Sequence, residues 1–303
     1  LTNMRKVYLD YSATTPVKEE VLKEMIPYFT EKFGNPSSLY DIGLESKEAV
    51  THAREQVAAL INAKPQEIYF TAGGTEADNW AVFGTVEKLK SKGNHIITTK
   101  IEHHAMLHSC AFLEKEGCQI TYLDIDQEGR IDLKQLEDAI TDKTVLISIM
   151  LVNNEIGTIQ PVKEAAAIAK KHGILFHTDA VQGLGNVPID VKDMGVDMMS
   201  VSSHKIYGPK GSGALYIRKG VNIANYMHGG GQESSKRAGT ENLAGIIGFG
   251  KAAELARINF ESHVKHCAKL RDYLKDRILS EIPDTFVNGA MEGRHPGNLN
   301  ITF

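Results

Sequence analysis

Short apolar, β-branched runs alternate along this chain with longer stretches in which apolar residues recur every third or fourth position. That alternation is the pattern of βαβ units wound into a largely parallel sheet, and few other folds accommodate it. The strand-like runs lie at 68–71, 95–99, 119–123, 145–151, 174–177, 198–201 and 214–217. Between most of them the helical spacing reappears, as at 107–116, 133–140 and 162–171, and earlier at 45–61. Leu22, Met25, Ile26 and Phe29 predict an early helix ending near Gly34. From Leu243 to about Leu279 the pattern predicts one long helical stretch bridging two packing units. Strands at 284–287 and 298–303 then suggest a smaller α+β unit. The last of these breaks off in mid-pattern at Phe303, so the sequence is expected to be incomplete there.

Charge narrows the function. Lys+Arg 34 against Asp+Glu 38 gives a net charge of -4, without the basic excess of a nucleic-acid binder. No apolar run approaches the ~20 residues that span a bilayer, and the opening LTNMRKVYLDYS has no apolar segment behind its charges. A cytoplasmic protein with no direct nucleic-acid or membrane contact is expected. Cys110, Cys118 and Cys267 are an odd set without a CxxC pair. They suit a reducing compartment and argue against a disulfide framework or a metal site.

Chemistry can sit at several predicted strand ends. After the run at 68–71 comes Gly73-Gly74-Thr75-Glu76 and then a helix. Glycines at a helix start, with a threonine hydroxyl, can make a phosphate cradle, although taken alone the motif reads first as a tight turn with Thr75 as N-cap. The pattern is neither GxGxxG nor a Walker loop. In Ser202-Ser203-His204-Lys205-Ile206-Tyr207-Gly208-Pro209, Lys205 just past an apolar strand is either a solvated charge or a partly desolvated Schiff-base lysine. Asp179, at the end of Ile174-Leu175-Phe176-His177-Thr178, occupies the ligand end of a parallel strand or caps a helix. Adjacent His103 and His104 point different ways and make a poor metal pair, although one imidazole could stack on a planar cofactor. The polar Asn153 to Glu155 run after an apolar strand is costly to bury without partners and favours a site or a wet rim. Together, a phosphate cradle, a strand-end Asp and a lysine one βα unit later are the parts pyridoxal phosphate requires.

The ordered motifs VYLDYSATTP, FGNPSS, TAGGTEADN, EHHA, VNNEIGTIQP, HTDAVQ, SSHKIYGPKGSGALYIRKG, GGGQE and RAGTEN resemble those of the NifS/IscS-type cysteine desulfurases. These belong to the class V aminotransferase group of fold-type I pyridoxal phosphate enzymes. The resemblance implies an α/β fold, a mainly parallel seven-stranded sheet sandwiched by helices. It implies a cofactor-binding large domain at 15–255, and a smaller, incomplete α+β domain formed by 1–14 and 256–303. It implies that Lys205 carries pyridoxal 5'-phosphate and that Asp179 pairs with the ring nitrogen. Gly74, Thr75, Ser202 and His204 would hold the phosphate. Gln182 and Asn154 would lie near the phenolic oxygen, Asn154 also facing substrate, and His103 would stack on the ring and shuttle protons. Thr240 would reach the other subunit's cofactor in a homodimer. Ser234-Ser235 after GGGQE, and Ala238, depart from the family pattern without removing any of these groups.

The implied reaction removes sulfur from L-cysteine, giving L-alanine and an enzyme persulfide. A sulfur-acceptor protein, such as an iron–sulfur scaffold or a tRNA-thiolation enzyme, would then take the sulfur. In the family the catalytic cysteine and the carboxylate-binding arginine lie beyond the equivalent of Phe303, and none of the three cysteines here matches that position. The 303 residues are therefore expected to bind cofactor without desulfurating. Alternatives are a selenocysteine lyase, another class V aminotransferase, or a catalytically dead remnant that keeps the cofactor.

Overall fold

A computed structural model describes residues 5–303; of the segment 1–14, residues 1–4 fall outside the described part. Its centre is a seven-stranded sheet: β1 (Ile68–Thr71), β2 (His95–Thr99), β3 (Gln119–Leu123), β4 (Thr144–Ser148), β5 (Leu175–Asp179), β6 (Met198–Ser202) and β7 (Gly213–Ile217). The spatial order is β1-β7-β6-β5-β4-β2-β3. β3, β2, β4, β5 and β6 run parallel, and only β7 is antiparallel to its neighbours β6 and β1. The expected mainly parallel seven-stranded sheet is therefore present, and every parallel strand but β3 is almost wholly buried, as helices on both faces require.

Strand alternation divides the core in two. Ile97, Ile147, Phe176 and Met199 face one layer, where they pack with Val50 and Val57 of helix Asp41–Leu60, Ala165 of Val162–Lys171, and Phe249 of Leu243–Ile258. Ile96, Leu146 and Met198, each one residue away, face the opposite layer with Trp80 of helix Gly74–Leu89 and Met106 of His104–Lys115. Side chains of period two feeding two helical layers are what fix the register.

Three elements differ from the sequence reading. The early helix is split into Glu19–Met25 and Pro27–Thr30, because Pro27 lacks the amide that would continue the ladder. Met25 is buried while Leu22, Ile26 and Phe29 are exposed. The long stretch from Leu243 breaks at Asn259, where Leu243–Ile258 ends and Phe260–Glu281 begins; the Asn259 amide side chain donates to the Leu255 carbonyl at 2.9 Å. Beyond it, only β8 (Phe286–Val287) and β9 (Ile301–Thr302) pair, antiparallel. The loop between them is gathered by Arg294, which donates to the carbonyls of Asn288 (2.8 Å), Ala290 (3.2 Å) and Asn298 (2.9 Å) and to the Asn298 side chain (2.9 Å).

β1 is an edge strand, and its outer side is covered by an ion pair. Arg54 meets Glu233 through two bonds of 2.7 Å and also donates to the Ile68 carbonyl at 2.6 Å, while the Phe70 amide donates to Glu233 at 2.8 Å. Edge backbone groups are thereby satisfied by side chains rather than left open for pairing. Glu233, Ser234 and Ser235 all have positive φ (46, 58 and 64), conformations that non-glycine residues hold only under constraint. Arg54→Ala should destabilise the protein by about 3–5 kcal/mol, since it leaves Glu233 buried and uncompensated. Urea unfolding checks this, and a loss under ~1 kcal/mol would mean that the pair acts like an exposed one.

Candidate active site

At the carboxyl ends of the parallel strands lies a cavity of about 330 Å³, the position where open α/β sheets hold ligands. Lys205, Asp179, His103, Asn154 and Gln182 line it, together with Gly74, Thr75, Ser202 and His204. Thr240 is exposed and is not among the lining residues. The sequence-predicted site residues other than Thr240 thus converge on one cleft, although they come from segments up to 131 positions apart, as with Gly74 and Lys205.

One end of the cleft is built by the turn after β1. Gly73 takes φ 154 and ψ -177 as the N-cap, a region open only to glycine, and a Cβ there would meet nothing within 4 Å. The helix begins at Gly74, so Thr75 stands within the first turn rather than capping it. The amides of that first turn have no intrahelical acceptors and carry the positive end of the helix dipole. Ser202, the last residue of β6, and the half-buried His204 face the same end. The His204 ring sits 3.1 Å from the Thr14 hydroxyl, and burial, followed by the charges of Lys205 and Lys210, lowers it to about 4. His204 is therefore a neutral hydrogen-bonding ring at physiological pH.

Lys205 is half-buried. Its ammonium donates to the carbonyls of Ser12 and, at 2.9 Å, Ala13. Burial lowers its proton affinity, opposed by Asp10 and Asp179. The segment supplying those carbonyls is itself strapped down. The Thr15 hydroxyl donates to the His204 carbonyl at 2.8 Å and accepts from the Tyr207 amide at 2.9 Å, and Gln182 donates to the Ser12 carbonyl at 2.9 Å. Opposite, Asp179 ends β5 and accepts the Val181 amide at 2.9 Å. No helix starts there among the described residues, so the helix-cap alternative for Asp179 falls. Burial raises its proton affinity first, while the Val181 amide, His103 and Lys205 oppose.

His103 caps helix His104–Lys115, its Nδ1 accepting the Ala105 amide at 3.1 Å. That bond fixes the tautomer with the proton on Nε2. The polar run at 153–155 divides its work. Asn153 is buried and fully partnered, accepting the amides of Glu155 and Ile156 at 2.9 Å and donating to the Ile101 carbonyl at 2.9 Å. Asn154 reaches the cleft. Asn298 and Asn300 each donate to the Glu155 carbonyl at 3.1 Å, so the C-terminal segment props the loop carrying Asn154.

Sequence reasoning missed Ser12, Ala13 and Asp78 among the lining residues. Asp78 had a legible signal, because it lies one helical turn beyond Gly74 on the same face. Ser12 and Ala13 act through backbone carbonyls, which no side-chain pattern marks. None of the cysteines lines the cleft. Burial raises all three thiols, Cys110 to about 12, so they are poorly ionised. Among the described residues no His, Cys, Asp and Glu group is arranged to hold a metal, and no helix is long and apolar enough to cross a membrane.

The sequence profile of the class-V aminotransferase family matches residues 7–303. The chain is 56% identical over 301 residues to a Clostridium botulinum protein named cysteine desulfurase IscS, covering 99% of this chain and 76% of that one. It is 54% identical over 302 residues to the Methanosarcina thermophila protein of the same name, covering 100% and 74%. Among solved structures, one described as a NifS-like protein superposes with a TM-score of 0.96 at 40% identity, covering 99% of this chain and 82% of that chain. Another, described as SspA in complex with cysteine, gives 0.88 at 38%, covering 98% and 84%.

Glu102 provides a pH test of how the cleft is held. Its Oε1 accepts the Thr99 hydroxyl at 2.7 Å and the Met150 amide at 3.0 Å, tying the ends of β2 and β4, while Oε2 has no partner. Burial, helped by Asp179 and opposed by those two donors, raises its proton affinity from 4.5 to about 8. Between these values the folded state binds more protons than the unfolded state, so stability falls as pH rises through the window. Glu102→Gln removes that ionisation. The variant's stability relative to the unaltered protein should therefore improve steadily from the lower to the upper value and be level beyond it. Urea unfolding across the series reads the trend, and a pH-independent difference would mean that Glu102 is ionised in the folded protein.

Proposed function

The chain belongs to the class-V aminotransferase family, and from its cleft we propose that it binds pyridoxal phosphate and L-cysteine as a cysteine desulfurase does, the reaction that turns L-cysteine into L-alanine needing a sulfur-receiving thiol other than its own three. The observation that carries this reading is the presence, in one cleft, of a half-desolvated lysine, a buried strand-end carboxyl and an unpartnered helix start. These donors fit the cofactor. A phosphate group suits the first-turn amides with Ser202 and His204, a protonated ring nitrogen suits Asp179, and an aldehyde suits Lys205. The open space beside Gly73 leaves the backbone approachable. When bound, the cofactor supplies an electron sink for the substrate's Cα.

The chain's own groups then have separable tasks. Asp179, buried in low dielectric, would keep a proton on the ring nitrogen of a bound cofactor. The bonds from Lys205 to Ser12 and Ala13 orient the amine toward the cleft, and burial makes it easier to deprotonate into a nucleophile. His103, held through its Nδ1, offers its ring face for stacking and its Nε2–H for donating a proton to the bound substrate. Asn154 and Gln182 fix the ring oxygen and the substrate. Cysteine as substrate is supported by the structural relative that holds it, and a sulfur-acceptor protein, such as an iron–sulfur scaffold or tRNA-thiolation enzyme, completes the reading. Residues 15–255 serve in this reading as the cofactor-holding unit. Exposed Thr240 serves a second copy's cofactor, making the working enzyme a homodimer. Since Cys110, Cys118 and Cys267 lie away from the cleft with suppressed ionisation, none of them is the sulfur-receiving thiolate.

Purified protein should show the near-visible absorbance of lysine-bound cofactor, and Lys205→Ala should lose it while staying folded. Borohydride labelling that mapped to Lys210 would refute the assignment. In Asp179→Asn the cofactor should still bind, with exchange of the substrate Cα proton slowed by about two orders of magnitude or more. An unchanged rate would remove Asp179 from this role. Incubation of the 303-residue chain with L-cysteine should yield no persulfide on its cysteines. Stoichiometric persulfide with alanine would identify one of the three as the nucleophile.

A further inference from the structure

Asp78 lines the cleft but has no place in the machinery described above. It is 1% exposed, and its Oδ1 has no hydrogen-bond partner. Each group that faces it can be named. From β5, the His177 Nε2 stands 3.7 Å from Oδ1. That imidazole is fully buried between the Ser148 hydroxyl (2.8 Å from Nδ1) and the Ser200 hydroxyl (2.9 Å from Nε2), and burial lowers it to about 3, so it is neutral. From β6, Ser200 lies beside the Asp78 carboxyl and lowers its proton affinity, against the burial that raises it. The remaining neighbours are the carboxyls of Asp179, on β5, and Glu102, in the segment after β2. Among the described residues no lysine or arginine forms an ion pair with Asp78.

A carboxylate in that place would be stripped of water beside two acidic groups, the situation in which one member of a pair keeps its proton. Asp179 is placed differently, with the Val181 amide at 2.9 Å, and with His103 and Lys205 both facing it and lowering its proton affinity. We propose that Asp78 is a positioning residue that works as a neutral carboxylic acid, ordered by Ser200 and His177, and that its retained proton leaves Asp179 as the cleft's one anionic carboxylate. The strongly raised proton affinity of Asp78, from burial first and Asp179 second, agrees with this arrangement. The inference rests on the reading that Asp179 serves a cofactor ring nitrogen, and it adds what decides which of two adjacent aspartates carries the charge.

Infrared difference spectroscopy of the cofactor-free 303-residue protein at neutral pH should show a protonated carboxyl stretch that disappears in Asp78→Asn and remains in Glu102→Gln. This measurement uses the chain alone, so it decides the protonation of Asp78 even if the protein fails to take up pyridoxal phosphate. In protein loaded with isotope-labelled pyridoxal phosphate, Asp78→Asn, which fixes a neutral hydrogen-bonding group in place, should retain the nuclear magnetic resonance signature of a protonated ring nitrogen. Its cofactor affinity should stay within about threefold of the unaltered protein, whereas Asp78→Ala should lose about fivefold to tenfold, the worth of one hydrogen-bonding group. Absence of the Asp78 band, or loss of the ring-nitrogen signature in Asp78→Asn, would overturn the proposal by showing that the charge of Asp78 is used. An Asp78→Ala variant equal to the unaltered protein in both readouts would overturn it by showing that the group positions nothing.

Discussion

A buried carboxyl at the end of β5 is the most demanding constraint in this molecule. Asp179 lies inside the sheet's carboxyl edge, where an unpaired ion is costly. Much of the surrounding structure meets that demand. The Val181 amide turns back onto it, and Lys205 and His103 face it from two other strand ends. The parallel order of β2, β4, β5 and β6 sets those ends along one edge of the sheet. The sheet's topology and the site's electrostatics are therefore one arrangement described at two scales.

The opposite wall depends on backbone rather than side-chain chemistry. Ser12 and Ala13 contribute carbonyls to Lys205, and their position follows from Thr15, which bonds both the His204 carbonyl and the Tyr207 amide. Residues far apart in sequence thus set the lysine's direction through a strap only a few residues long. A threonine hydroxyl that donates and accepts at once can do this without adding charge.

Much of this was legible in advance, for physical reasons that differ by element. The buried strands declare themselves because β-branched, apolar residues have little other use, and the predicted 95–99, 119–123 and 162–171 coincide with observed elements. Lys205, Asp179 and Gly74 stood out because charge or glycine directly beyond an apolar strand needs an explanation. The split at Asn259 was hidden because helical spacing continues through it, and only a side chain reaching the Leu255 carbonyl marks the end. The early helix is present but split at Pro27, and Leu22, Ile26 and Phe29, whose spacing marks it, are exposed. Backbone contributors such as Ser12 carry no sequence signal at all.

Arg294 invites a comparison with the surface ion pairs. Its guanidinium is shared among neutral carbonyl and amide oxygens of Asn288, Ala290 and Asn298. Exposed pairs such as Lys163 with Asp193 weaken as counterions accumulate, since dissolved salt screens one charge from another. Bonds from a cation to uncharged oxygens in a half-enclosed loop offer counterions far less to screen. The fold that props the Asn154 loop is accordingly held by an attachment that ionic strength barely touches, whatever happens to the charges decorating the rest of the surface.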